Sequence, residues 1–81
     1  MNTWNSVIFM KSNKSMNDMN AMAKWDGVES MWSTMGDWDW CIKLSSQHSS
    51  PEKAEAMVAR MKDGQLATHT KTSWWKEVHN M

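Results

Sequence analysis

Ser33-Thr34-Met35-Gly36-Asp37-Trp38-Asp39-Trp40-Cys41-Ile42-Lys43-Leu44-Ser45 holds a turn and a strand side by side, and its reading decides the fold. From Trp38 onward the side chains alternate. Trp38, Trp40, Ile42 and Leu44 point one way, while Asp39, Cys41, Lys43 and Ser45 point the other. A period of two is the signature of a strand. The stretch Val28 to Met35 precedes it, and Gly36-Asp37 supplies the turn, so the region predicts a β-hairpin.

Working outward, Trp4 to Lys11 carries the unbroken apolar run Val7, Ile8, Phe9 and Met10. Such a run, rich in branched and aromatic residues, predicts a strand buried on both faces. Ser15, with Asp18 three residues on, forms an N-cap signature. Met16, Met19, Met22 and Ala23 then recur at helical spacing, predicting a helix from Ser15 to Trp25 that stops at Asp26-Gly27. Downstream, Ser50-Pro51-Glu52 opens a second helix with Ser at the cap and Pro at the first position. Ala54, Met57, Val58 and Met61 form its apolar stripe, Arg60 and Lys62 suit its negative end, and Gly64 closes it. In the last segment Leu66, Thr68, Thr70, Thr72 and Trp74 share one face, and Ala67, His69, Lys71, Ser73 and Trp75 the other, which predicts a final strand. The residues after Trp75 are expected to fray or to wrap a partner.

The order is strand, helix, strand, strand, helix, strand, over a single domain of residues 1–81. The fold class is therefore α+β: a ferredoxin-like βαββαβ arrangement, with a four-stranded antiparallel sheet and both helices on one face. The sequence does not say which face of the strands meets the helices. The other face stays open, and a face carrying large apolar residues is poorly tolerated by water.

Composition sharpens that expectation. Eighty-one residues allow one domain that buries about 60–65% of its unfolded surface, a marginal fraction. Seven tryptophans and ten methionines give more apolar bulk than one small core needs, and a homodimer or higher homo-oligomer would absorb it. Nine basic and nine acidic residues balance to zero net charge, which argues against a module that tracks a polyanion. One cysteine excludes an internal disulfide framework. No apolar run nears the ~20 residues a bilayer requires, and the N-terminal stretch lacks the pattern of a secretion signal. The chain reads as a cytoplasmic domain with no membrane contact.

The turn Gly36-Asp37-Trp38-Asp39-Trp40, with the Thr-bearing strand after the second helix, resembles the ligand-binding (RAM) domain of the Lrp/AsnC family of transcription regulators. The resemblance covers about Val28 to Trp74. It implies a dimeric α/β barrel in which two sheets pack face to face, with small effectors such as amino acids bound near this turn between dimers. Carried over by position, Gly36, Trp38, Asp39, Thr34 and Thr70 would line the ligand site. Two departures matter. No helix-turn-helix precedes the domain, so the chain is not expected to bind DNA by itself, and indoles stand where the family commonly carries smaller side chains.

Read from their own chemistry, Gly36 suits a turn with positive φ. Asp39 can accept turn N–H groups or receive a ligand's ammonium group beside aromatic faces. Cys41 and His69 would make a nucleophile and base only if neighbouring strands aligned them. Asp37 and Asp39 flank Trp38 as paired carboxylates, a weak basis for acid–base chemistry. His48, His69 and His79 have no metal-ligand spacing, and no cofactor or metal is implied. The RNA-recognition fold shares the element order, but Asp39-Trp40-Cys41-Ile42-Lys43 lacks the basic-Gly-aromatic signature of its third strand. The sequence thus predicts a stand-alone small-molecule sensing and assembly domain. The alternatives are a small dimeric-barrel enzyme of the monooxygenase kind, with a closed cavity lined by His69 or Cys41, and a purely structural interaction protein.

Overall fold

The computed structural model describes residues 4–76. Its elements are β1 (Trp4–Lys11), α1 (Met16–Met22), β2 (Val28–Ser33), β3 (Trp40–Leu44), α2 (Pro51–Asp63) and β4 (His69–Lys76), with one 3₁₀ turn at Ser46–His48. The sheet is antiparallel throughout, in the order β2-β3-β1-β4. This is the ferredoxin-like order inferred from the sequence.

β1 is central because its residues can be buried on both sides. Ile8 pairs with Ile42 and Thr72, and Met10 with Trp40 and Thr70. These rows face the helices. Ile8, Met10, Ile42 and Leu44 form one buried cluster with Met19 and Met22 of α1 and with Ala54, Met57 and Met61 of α2. Both helices therefore cover one face. The alternate rows face away: Trp32, Cys41, Phe9 and Lys71 line up across all four strands, and Ser30, Lys43, Val7 and Ser73 form the next row. This settles the orientation that the alternation left open.

The two helices differ in how their residues support them. In α2, Ser50 Oγ accepts the Lys53 N–H at 3.2 Å and Pro51 opens the first turn, as the sequence predicts. Gly64 ends the helix with ordinary negative φ, and the left-handed residue is the next one, Gln65, at φ 57°. Its turn lets Leu66 N–H reach the Met61 carbonyl at 2.9 Å. In α1, Ser15 Oγ accepts the Asp18 N–H as predicted, but the helix stops at Met22 instead of Trp25. Lys24 N–H bonds to Ala21 O and Trp25 N–H to Met22 O, so the last turn tightens to three-residue spacing. That tightening brings Trp25 against the core, and Gly27, at φ 95°, swings the chain into β2.

The hairpin strands are also shorter than the alternation suggests. β2 ends at Ser33 and β3 starts at Trp40, with a bulge between Val28 and Ser30 that leaves Glu29 unpaired in the ladder. Glu29 Oε2 instead meets Lys43 Nζ at 3.0 Å. β4 begins at His69, so Leu66 and Ala67 pack against the core from a loop. The expectation about the chain after Trp75 lies, beyond Lys76, outside the described residues.

Gly27 and Gly36 both adopt positive φ, but they differ in what a side chain would meet. At Gly27 a Cβ would lie 2.7 Å from the His48 ring, whereas at Gly36, φ 109°, it would enter open space. Gly36→Ala should cost about 1–2 kcal/mol, the backbone penalty alone. Gly27→Ala should add overpacking of about 1–3 kcal/mol to the same penalty. Urea denaturation of both variants measures the difference, and equal losses would show that the His48 wall yields freely.

Candidate functional site

The loop of residues 34–39 connects β2 to β3 and is fastened at several points. Thr34 N–H donates to Asp39 O at 2.9 Å, and Thr34 Oγ–H donates to the Trp38 carbonyl. Asp39 N–H donates to Met10 O at 3.0 Å, continuing the ladder past the end of β3. The Asp39 carboxylate accepts the Ser12 N–H through Oδ2 at 3.0 Å. Asp39 thus ties the hairpin loop to the chain leaving β1 and keeps Oδ1 free of that bond. Gly36 sits at the exposed tip beside Met35.

This fastening overturns one sequence expectation. Trp38 does not share a face with Trp40, Ile42 and Leu44. Its ring centroid lies 6.3 Å from that of Phe9, and the Lys11 ammonium sits 5.7 Å from the Trp38 ring, both on the face away from the helices. Strict alternation holds only where the backbone is paired, and pairing begins at Trp40. Ahead of it the chain bends and turns the indole over the open face.

That face carries an apolar patch outside the core. Phe9 is flanked by Trp38 and, at 6.0 Å, by Trp75. Trp32 and Trp75 are 47% and 46% exposed, while Val7 and Cys41 between them are buried. A shallow hollow of about 260 Å³ is lined by Phe9, Trp32, Thr34, Cys41 and Trp75. A second, of about 270 Å³, lies across the Trp32–Trp75 ridge and adds Asn5, Lys43 and Lys76. The chain's own aromatic rings therefore half-cover a sheet face that has no helix on it.

Of the residues expected to line a site, Thr34, Trp38 and Asp39 converge with Gly36 at one end of this face. Thr70 does not join them. It pairs with Met10 and lies half-buried on the helix side of β4. The structure also brings in Phe9, Trp32 and Trp75, which were not singled out as site residues. Their signal lay in strand parity: Trp75 falls on the face opposite Trp74, and Trp32 pairs with Cys41.

The reactive candidates are separated. Cys41 on β3 faces the open side and pairs with Phe9, whereas His69 begins β4, opposite Lys11. The Cys41 thiol is pushed above its ordinary value of 9.0 by burial, so it is a protonated packing group at neutral pH. His48 Nδ1 is bonded to Ser45 Oγ at 3.0 Å, and Nε2 lies 3.8 Å from Asp26. His79 lies outside the described residues. Among the described residues, no three His, Cys, Asp or Glu side chains are placed to share a metal ion. No helix there is long and apolar enough to cross a membrane.

Comparison with solved structures gives the same architecture. The crystal structure of FFRP-DM1 superposes with a TM-score of 0.72 at 13% identity, over 90% of this chain and 99% of that one. An AsnC family transcriptional regulator from Agrobacterium tumefaciens matches with a TM-score of 0.71 at 10% identity, over 99% of this chain and 54% of the regulator. The hypothetical protein PHS023 from Pyrococcus horikoshii matches at 0.66 and 14% identity, covering 95% of this chain and 94% of its own. The chain thus spans nearly all of two of these proteins and about half of the regulator. At such identities the likeness is one of fold, and the fold is that of the Lrp/AsnC-like domain the turn sequence suggested. No family model matches the sequence, and no curated protein matches it significantly.

Burial of Cys41 has a measurable consequence. Because the folded state holds the thiol proton more tightly than the unfolded chain, stability should fall as pH rises above the ordinary thiol value, and not below it. Native protein should resist iodoacetamide at neutral pH and react fully once unfolded in urea. Rapid alkylation of the native chain at neutral pH would place Cys41 on an open surface.

Proposed function

We propose that this chain is a regulator-like assembly domain. It forms a homodimer or larger homo-oligomer through the open sheet face and takes a small effector near the loop of residues 34–39. One observation carries the reading: Phe9, Trp32, Trp38 and Trp75 gather on the one sheet face that no helix covers. Each half-exposed indole leaves roughly 100 Å² in water, and burying that much is worth about 2.5 kcal/mol. A two-fold contact uses each ring twice, because the same patch serves both copies. The fold shared with an AsnC family transcriptional regulator supports the same reading.

The effector class follows from the groups beside the loop. Asp39 is exposed, uses one carboxylate oxygen for Ser12, and follows Trp38 directly in the loop. An exposed carboxylate with an oxygen to spare suits an ammonium group, so an amino acid is the effector we assign. A second copy seated on the open face would place the Gly36–Asp39 loop at a subunit boundary, with Thr34 at its rim. An effector that binds only the assembled form then shifts assembly by mass action. The enzyme alternative is less well supported, since it needs Cys41 or His69 in a cavity between sheet and helices. Cys41 faces the other way and His69 is exposed.

Sedimentation velocity across a range of protein concentrations tests the assembly. The wild type should sediment as a dimer or larger species, and Trp32→Glu should shift it to a folded monomer. A folded wild-type monomer at high concentration overturns the reading. Indole fluorescence during titration with the amino acids tests the effector. At least one should give a saturable change, weakened ~10- to 100-fold in Asp39→Asn as a charge-assisted hydrogen bond is lost. No response to any amino acid removes the sensing role and leaves a structural assembly domain.

A further inference from the structure

On the helix side of the molecule, far from the aromatic face in the layering of the fold, a hollow of about 370 Å³ lies between α2 and the chain around the 3₁₀ turn. One wall is the α2 face made by Lys53, Ala56, Met57 and Arg60, whose spacing of three, four and seven residues sets them in one stripe. The other wall carries His48 and Asp26. Ala56 contributes no bulk, so the hollow opens between the two basic side chains, over an apolar floor of Ala56 and Met57.

The basic groups are held by contacts that leave donors unused. The Arg60 guanidinium carbon sits 3.8 Å from the Trp25 ring centroid, a cation–π contact that fixes its position without using its N–H groups. No carboxylate pairs with it among the described residues. Lys53 Nζ donates one hydrogen to Gln47 O at 3.1 Å and has two more. His48 Nδ1 is hydrogen-bonded to Ser45 Oγ at 3.0 Å, which holds the ring and leaves Nε2 outside that bond. Gly27 lets the ring stand this close, because any side chain there would meet it at 2.7 Å. Asp26 is the one opposing charge. Its side chain is 97% exposed, and its 3.8 Å approach to His48 Nε2 is too long for a hydrogen bond.

We infer that this hollow is an oxyanion site, and that it takes the phosphate of a small phosphorylated metabolite between Lys53, His48 and Arg60. Phosphate, with its oxygens arranged tetrahedrally, suits the Lys53 ammonium and Arg60 guanidinium on one wall and the His48 ring on the other better than a planar carboxylate does. The apolar floor beside the donors suits the carbon body of an ester. The site belongs to a different face from the proposed assembly surface, so it can be measured whether or not the chain self-associates.

Amide and imidazole NMR shifts of the full chain, titrated with inorganic phosphate and separately with phenyl phosphate, test the site. Both probes should shift Gly27 and His48 saturably, with phenyl phosphate the tighter of the two by several-fold because of the Ala56–Met57 floor. Equal affinity for the two would identify free phosphate as the ligand and overturn the metabolite assignment. Arg60→Gln and Lys53→Gln should each weaken binding at least ~10-fold, Asp26→Asn should strengthen it, and Lys14→Gln should leave it unchanged. Arg60 and Lys53 are exposed, so both variants are expected to stay folded, with Lys53→Gln near the wild-type melting temperature and Arg60→Gln slightly below it for loss of the Trp25 contact. Shifts that never saturate, or the same dissociation constant in Arg60→Gln as in wild type, would overturn the site.

Discussion

The structure depends on burying β1 from both sides. Val7, Ile8 and Met10 are fully buried although they alternate between faces, which requires a cover above and below the central strand. Two helices suffice for one side only. Among the described residues there is no third helix for the other, so the chain's own aromatic side chains lean over Val7 and Cys41. The positions of Phe9, Trp32, Trp38 and Trp75 follow from that shortage. They shield the central strand in one copy while leaving about half of two indoles in water, a condition that sheet-to-sheet pairing relieves.

The loop of residues 34–39 shows how fold and site are linked. A tight two-residue hairpin would have continued the alternation and sent Trp38 to the helix side. The longer loop holds its shape through Thr34 and is docked onto β1 through the Asp39 backbone and carboxylate. Asp39 therefore serves the structure first. A carboxylate accepting one backbone N–H is also oriented, and orientation is what a binding group needs before a ligand arrives.

How much of this was legible in the sequence depended on how local the cause was. Ser50-Pro51 and the Ala54–Met61 stripe give α2 almost residue for residue, because capping and amphipathicity act within one element. The order of elements, and with it the sheet, follows from the same kind of signal. The end of α1 was missed because Trp25 leaves the helix to reach the core and lie beneath Arg60, partners that are remote in the chain. Trp38 was assigned to the wrong face because periodicity cannot report where pairing stops. Thr70 was carried into the site by resemblance, and its register with Met10 puts it on the helix side. Phe9, Trp32 and Trp75 were visible as aromatic residues, but their meeting required three strand registers at once.

The two unusual residue types are distributed by shape between the core and the surface. Five of the nine residues in the buried cluster are methionines: Met10, Met19, Met22, Met57 and Met61. None of the seven tryptophans is fully buried. Flexible thioethers can fill the irregular space between two short helices and a sheet, whereas an indole there would need more room and a partner for its N–H. The core thus selects methionine by shape and leaves tryptophan to the surface. Three of the seven indoles, Trp32, Trp38 and Trp75, gather with Phe9 on one sheet face, and Trp25 lies against Arg60 on the other side. Shielding β1 accounts for rings over Val7 and Cys41, and the indole surface that this leaves in water is what a second copy would cover.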